Sequence, residues 1–207
     1  EVRIRAYYIA STLFERSKKG PLILSSFHQS LASIKSHEIS KIHGSLLVLS
    51  NYAKYYPHVI SDQASSLMKT CRSLMLHDER YISVAAIHLI IELGPLDPVD
   101  FRNNHFDAIN YYFFKDETFP IDLADELIQV MEYFPDLYTQ LIPKIVPIIP
   151  YLIQKELSTG FLLLKTVSEI IPTNEFLGIK DIDQIISEAP LNKDFYDIII
   201  QLFESYP

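Results

Sequence analysis

The chain has 207 residues, of which 48% are apolar, enough for a hydrophobic core in one domain or two small ones. With only five Gly and 12 Pro it has few glycine-dependent turns, which argues against an all-β architecture and favours helices. Its net charge of -8 has the wrong sign for binding nucleic-acid phosphates or an anionic membrane surface, so we expect neither partner.

The first residues, Val2-Arg3-Ile4-Arg5-Ala6, have the pattern of the interior of a helix, and no apolar leader precedes them. We therefore expect no secretory signal, and we interpret both ends of the chain as cuts in a longer solenoid. The basic cluster Arg16, Lys18 and Lys19 follows this helix. We assign it to the helix dipole, with a binding role as the less favoured alternative.

A helical apolar stretch that closes on proline recurs along the chain. The five stretches end at Pro57, Pro95, Pro135, Pro172 and Pro207, at intervals of 38, 40, 37 and 35 residues. These intervals lie close to the roughly 40–47 residues of HEAT and armadillo units. Because the proline ring clashes with the carbonyl one turn back, we expect each helix to end there.

Apolar side chains inside these stretches follow a helical period. Before Pro57 they lie at alternating steps of three and four residues, and in the last stretch they recur three and four residues apart, which also places them on one side of a helix. The first set is Ile39, Ile42, Leu46, Leu49, Ala53 and Tyr56, and the last is Phe195, Ile198, Ile199, Leu202, Phe203 and Tyr206.

A partner helix is predicted between each pair of stretches. The five partners are Pro21–Ser36, Val59–Leu76, Phe101–Lys115, Leu137–Lys155 and Ile179–Glu188. The fold class is therefore all-α: an α-solenoid of HEAT/armadillo-like repeats, with about 11 helices in antiparallel pairs. We expect residues 1–207 to form a single solenoid segment, because stacked pairs bury surface that one pair cannot bury alone.

The apolar run Leu141–Ile153 needs a separate interpretation. It is shorter than the roughly 20 residues that cross a bilayer, and it contains Lys144 and three prolines. We predict a buried, kinked helix.

Histidines and cysteine are the candidates for a metal or catalytic site. A di-iron site of the kind found in HEAT-like hydroxylases needs several His-Glu pairs, whereas His37-Glu38 is the only such dipeptide. His43 lies beside Gly44 within a predicted helix, and a glycine there indicates close approach by a neighbouring helix. We interpret His43 as a packing residue with a hydrogen bond at the helix junction, and Cys71 as a small core residue with no reactive thiol.

No catalytic or phosphate-binding motif is present in the sequence: G-x-S-x-G, G-x-x-x-x-G-K, G-x-G-x-x-G, H-R-D and D-F-G are all missing. We therefore assign no catalytic, cofactor-binding or metal residue, and expect no cofactor and no small-molecule substrate. Aromatic clusters such as Tyr111-Tyr112-Phe113-Phe114 cannot point every ring into one stripe, so some rings should lie at helix junctions or on a binding face.

Three segments resemble, in order, the N-terminal HEAT solenoid of the target-of-rapamycin (TOR) kinases. They are Val2–Ala6, Ile42-His43-Gly44-Ser45-Leu46-Leu47-Val48-Leu49, and the tyrosine- and proline-containing helix Tyr138–Pro150. The second is the most specific. The resemblance implies a non-enzymatic portion of a serine/threonine kinase of the phosphatidylinositol-kinase-related family, whose catalytic domain is absent here. It also implies docking of a regulatory subunit, a role in dimer assembly, and cytoplasmic nutrient and growth signalling.

Our leading hypothesis is accordingly a non-catalytic protein-interaction scaffold in the cytoplasm or nucleus, with a kinase regulatory subunit or a second copy as partner. The alternative is a HEAT/armadillo adaptor of the nuclear-transport, adaptin or condensin type with no kinase attached. A third hypothesis is an enzyme with a helical-repeat body, which bound iron or zinc would reveal.

Overall fold

The computed structural model describes residues 21–116, 119–154 and 158–170, together with Tyr196 and Ile200. This part of the chain is helical and contains no strand. Its eight helices of eight or more residues are α1 (Pro21–Ser33), α2 (Ile39–Tyr55), α3 (Ala64–Leu74), α4 (Arg80–Leu93), α5 (Phe106–Phe114), α6 (Ala124–Tyr133), α7 (Tyr138–Ile145) and α8 (Ser158–Ile170).

Short helical segments join these helices. They are Pro57–Ile60, Ser61–Gln63, Gly94–Leu96, Pro98–Asp100, Phe101–His105, Ile121–Leu123, Pro135–Leu137, Val146–Ile148 and Ile149–Gln154. The all-helical class is thus confirmed. The eight long helices are fewer than the eleven expected for the whole chain. The predicted helices near residues 1–10, 179–188 and 195–206 lie wholly or mostly outside the described residues.

The chain divides into two compact units, Glu1–Tyr112 and Phe113–Pro207. In the first unit α1 packs against α2, α3 packs against α4, and α2 packs against α4. In the second unit α8 packs against the segment Ile149–Gln154 and against α6. Helix pairs therefore occur in both units, whereas a single HEAT-type solenoid over residues 1–207 stays a prediction.

The core of the first unit lies along α2 and α4. Five residues of the predicted α2 stripe are buried, namely Ile42, Leu46, Leu49, Ala53 and Tyr56, whereas Ile39 is 37% exposed at the start of the helix. Helix α4 is buried on almost every side, from Ile82 to Leu93, with only Val84 and His88 partly exposed. Its polar Ser83 hydroxyl donates to the His77 carbonyl at 2.9 Å, which satisfies a group that would otherwise be costly to bury.

Three joints between helices share one backbone geometry. Tyr56, Asp97 and Phe134 each precede a proline and have φ of -135°, -141° and -133° with ψ of 52°, 74° and 67°. The proline ring disfavours αR geometry in the residue before it, and at these three joints the helix stops and a new turn begins at the proline.

The second of these joints differs from the prediction. Pro95 lies inside the 3₁₀ turn Gly94–Leu96, and the break comes at Asp97-Pro98. The structurally equivalent prolines are therefore Pro57, Pro98 and Pro135, spaced 41 and 37 residues apart. Pro172 and Pro207 lie outside the described residues.

The apolar run Leu141–Ile153, predicted as a buried, kinked helix, is helical and is buried on one side only. Pro143 lies inside α7, and the single helix expected over Leu137–Lys155 is divided into α7, Val146–Ile148 and Ile149–Gln154. One side of the run is buried, with Leu141, Ile145, Ile149 and Leu152 at intervals of three or four residues. In the described part of the chain no helix is both long and apolar enough to span a membrane.

Candidate functional site

A π turn interrupts the helix predicted over Phe101–Lys115. Residues Phe101–His105 form this turn, and the N–H of Phe106 donates to the carbonyl of Phe101, five residues earlier. Single π turns are rare in proteins. Those that occur are often found at functional sites, because the wider turn displaces side chains from the regular helical positions. The turn packs against α3.

Local contacts hold the π turn in place. The Asp97 carboxylate caps the preceding turn by accepting from the N–H of Asp100 at 3.1 Å. The Arg102 guanidinium donates to the Pro98 carbonyl at 3.0 Å, and the Phe101 ring is fully buried. These contacts give the polar residues that follow a defined position.

Asp100, Asn104 and His105 form a polar cluster at the turn. The Asn104 amide donates to Asp100 Oδ1 at 2.6 Å, and His105 Nε2 lies 3.4 Å from Asp100 Oδ2. His105 is only 1% exposed, and its Nδ1 has no hydrogen-bond partner, whereas its Nε2 has the Asp100 carboxylate as its partner at that longer distance. A buried polar group without a partner is destabilising, which marks the cluster as more than packing.

The charges around the cluster shift two pKa values. The hydrogen bond from Asn104 lowers the pKa of the Asp100 carboxyl, and Ser65 and His105 act in the same direction against desolvation. Burial lowers the pKa of the His105 imidazole, which the Asp100 carboxylate opposes and the Arg72 and Lys69 charges reinforce. At neutral pH Asp100 is therefore ionised and His105 is neutral.

A groove of about 560 Å³ lies between α3 and the π turn. It is lined by Lys69, Arg72, Ser73, Leu76, Asn104 and His105. None of these lining residues is acidic. Arg72 donates to the Asn104 carbonyl, and the Ser73 hydroxyl donates to the Thr70 carbonyl at 2.7 Å. The groove thus presents cationic donors, and its serine is bonded to a backbone carbonyl and not to a base.

Among the described residues, the His37-Glu38 dipeptide does not lie in a cluster of potential metal ligands. His37 and Glu38 are exposed, and the Glu38 carboxylate accepts from Lys41 at 2.6 Å and from Ser40 at 3.0 Å. The hydrogen bond from Lys41, followed by that from Ser40, lowers the pKa of Glu38. Among the described residues no group of three or more His, Cys, Asp and Glu side chains is placed to hold a metal ion.

His43 packs at the helix junction, and the close approach predicted at Gly44 is wrong. The His43 ring is 9% exposed and lies edge-on to the Tyr81 ring, with 4.9 Å between centroids. A Cβ built on Gly44 meets no atom within 4 Å. The neighbouring helix therefore contacts α2 beside the glycine, through His43 and the buried stripe.

The remaining sequence candidates have structural positions. Cys71 is fully buried, as predicted, and burial raises the pKa of its thiol. The aromatic run divides as expected, since Phe113 is buried whereas Tyr111 is 70% exposed. Tyr112 is buried and its hydroxyl accepts from Arg80 at 2.8 Å. The basic cluster Arg16, Lys18 and Lys19 lies outside the described residues.

The groove was not predicted from sequence. Its two sides come from residues 69–76 and 104–105, and nothing in the local pattern brings them together. A signal was present on each side, because Lys69 and Arg72 are one helical turn apart and the polar run Arg102-Asn103-Asn104-His105 interrupts an apolar helix.

Comparison of the chain with protein-family models, with curated proteins and with solved structures yields no match.

Proposed function

We propose that the chain is a non-catalytic protein-interaction scaffold, similar to the N-terminal HEAT solenoid of a TOR serine/threonine kinase. The observation that carries the proposal is the packing of the first unit, in which the pairs α1–α2 and α3–α4 meet through α2 and α4. Stacked helical pairs form extended surfaces that typically bind other proteins.

The segment with the most specific resemblance lies in this contact. Ile42, His43 and Leu46 are buried on α2, and His43 contacts Tyr81 next to the start of α4. The physical role of the Ile42–Leu49 motif is therefore to pack one pair of helices on the next. This role supports a stacked-repeat scaffold.

Exposed apolar side chains also favour a binding role. In the first unit Leu76 is 81% exposed, Tyr111 is 70% exposed and Val99 is 66% exposed. Apolar groups on a surface are stabilised when a partner covers them, and tyrosine is enriched in protein interfaces.

The test is purification of the tagged native protein from its own cells at physiological salt, followed by mass spectrometry. We expect a kinase domain in the same polypeptide and a WD-repeat regulatory subunit in stoichiometric amount. Transport factors, or adaptin or cohesin-like subunits, with no kinase domain would favour the adaptor alternative. Stoichiometric bound iron or zinc together with no protein partner would overturn the scaffold proposal.

A further inference from the structure

The groove between α3 and the π turn holds cations that the chain itself does not neutralise. Acidic residues outnumber basic ones by 26 to 18, yet Lys69 makes no ion pair among the described residues. Arg72 lies three residues later on the same face of α3, and its contact is with a backbone carbonyl, that of Asn104. Two neighbouring cations repel each other, and a bound anion would relieve that repulsion.

The guanidinium of Arg72 is oriented by a backbone contact and has donors left to bind an anion. A guanidinium has five N–H donors in a planar fork, and the Asn104 carbonyl occupies one nitrogen of the Arg72 group. The remaining donors keep the geometry that binds carboxylate or phosphate oxygens in a bidentate manner. Because the Asn104 carbonyl already orients the side chain, a ligand loses less side-chain entropy on binding to it.

His105 supplies a second, independent indication of a ligand. It lines the groove while being 1% exposed, and its Nδ1 has no hydrogen-bond partner, whereas its Nε2 lies 3.4 Å from Asp100 Oδ2. Buried polar groups are nearly always paired, so the unpaired Nδ1 of a histidine that lines a groove indicates a partner that binds there.

The shape of the groove favours an extended peptide over a small molecule. Small ligands are usually 70–90% enclosed in a concave pocket. This groove instead opens to solvent past the exposed Lys69, Arg72 and Leu76. Leu76 lies seven residues after Lys69 and two residues beyond the end of α3. At the rise of a helix seven residues span about 10 Å, which is about three residues of an extended chain.

We propose that this groove binds an acidic peptide segment of a partner protein. A carboxylate or phosphate side chain of the segment contacts Lys69 and Arg72, and an apolar side chain about three residues away contacts Leu76. The inference rests on the scaffold function proposed above and names the chemistry of one partner. The charges are complementary, because an anionic side chain meets two cations and no acidic lining residue.

The test uses the purified 207-residue chain and fluorescein-labelled peptides of 12 residues, read out by fluorescence anisotropy. One peptide carries two adjacent glutamates with a leucine three residues on, a second carries phosphoserine in place of the glutamates, and a third carries glutamines. We expect both anionic peptides to bind at least about tenfold more tightly than the glutamine peptide, and raising the salt concentration to weaken them.

Variants locate the binding. We expect Lys69→Gln and Arg72→Gln each to weaken the anionic peptides about threefold or more, the double variant about tenfold, and Leu76→Ser about threefold. Lys35→Gln is the matched control, since Lys35 is an exposed lysine outside the groove. All these positions except Lys35 line the groove on its exposed side, so helical circular dichroism should be the same for every variant.

Three results would overturn the inference. They are equal binding of the glutamine peptide, an equal effect of Lys35→Gln and Lys69→Gln, and displacement of the phosphopeptide by free inorganic phosphate at the peptide's own concentration. The last result would assign the groove to small phosphates.

If the double variant fails to alter peptide binding while the native protein keeps its partners, the groove inference falls and the scaffold proposal stands. If peptide binding depends on Lys69 and Arg72 but the native protein has no protein partner, the scaffold proposal falls.

Discussion

Substitution of Gly44 measures how much a glycine within a helix lowers the stability of the fold. It lies inside α2, and a Cβ at this position meets open space. Gly44→Ala should therefore raise the free energy of unfolding by about 1 kcal/mol, and Gly44→Ser by about half of that, because both restrict the unfolded chain. Urea unfolding measures the two values. A loss of stability in both variants would show that a neighbour does approach the glycine.

His105 should make the fold less stable in acid. Its folded-state pKa lies below the ordinary value of 6.5 because the ring is buried. As the pH falls below about 6.5 the unfolded chain binds a proton that the folded chain does not, so the free energy of unfolding decreases. The groups that face His105 are Asp100, Arg72 and Lys69, of which Asp100 opposes the shift.

Two measurements check the behaviour of His105. In an NMR titration of the folded protein we expect the His105 ring to titrate below the ordinary histidine value of 6.5. Unfolding at pH 7.5 and 5.5 should then show a smaller pH dependence for His105→Gln than for His37→Gln. The same pH dependence in both variants would mean that His105 does not stay neutral in the folded chain.

At the scale of helices and turns, prolines have two roles that sequence alone does not separate. Pro57 is the first residue of the turn Pro57–Ile60, where its missing N–H is not needed. Pro143 lies inside α7, where a helix normally uses that N–H. The proline period was visible from sequence, but the structure distinguishes the proline that starts a turn from the one that interrupts a helix.

Substitution of the two prolines should have opposite effects. Pro57→Ala should lower the free energy of unfolding by about 0.4–1 kcal/mol, because the unfolded chain gains freedom and the pre-proline geometry of Tyr56 is no longer enforced. Pro143→Ala should raise it by about 1 kcal/mol, because α7 regains a backbone hydrogen bond. Thermal unfolding followed by circular dichroism compares the two. A change of the same sign in both would contradict the assigned roles.

Across the whole molecule, burial identifies the elements that carry the fold. In the first unit α4 is buried on almost every side, whereas α3 buries only Ala64, Leu67, Met68 and Cys71. We therefore expect the amide hydrogens of α4 to exchange more slowly than those of α3, as measured by hydrogen–deuterium exchange with mass spectrometry. Faster exchange in α4 would mean that its core position is not retained in solution.

The same difference is relevant to binding. A helix that buries one stripe leaves its other side for contacts, and α3 presents Lys69 and Arg72 on that side, with Leu76 two residues beyond its end. The groove inference uses this exposed side of α3, and the scaffold proposal uses the buried contact between α2 and α4. The two proposals therefore depend on different surfaces of the same unit and can be tested separately.

Sequence alone determined the helical class, the buried stripe of α2, the burial of Cys71 and the interrupted helix after Leu137. These features follow from the period of apolar residues and from the covalent restriction that proline imposes, and both act within a few residues. Only the tertiary structure decided the open space at Gly44, the break at Pro98 and the groove. It alone placed Lys69 and Arg72 beside Asn104 and His105. The physical reason for the groove and for the open space at Gly44 is that they depend on which side of one helix faces another segment about 30 residues away, and a local pattern carries no information on that packing.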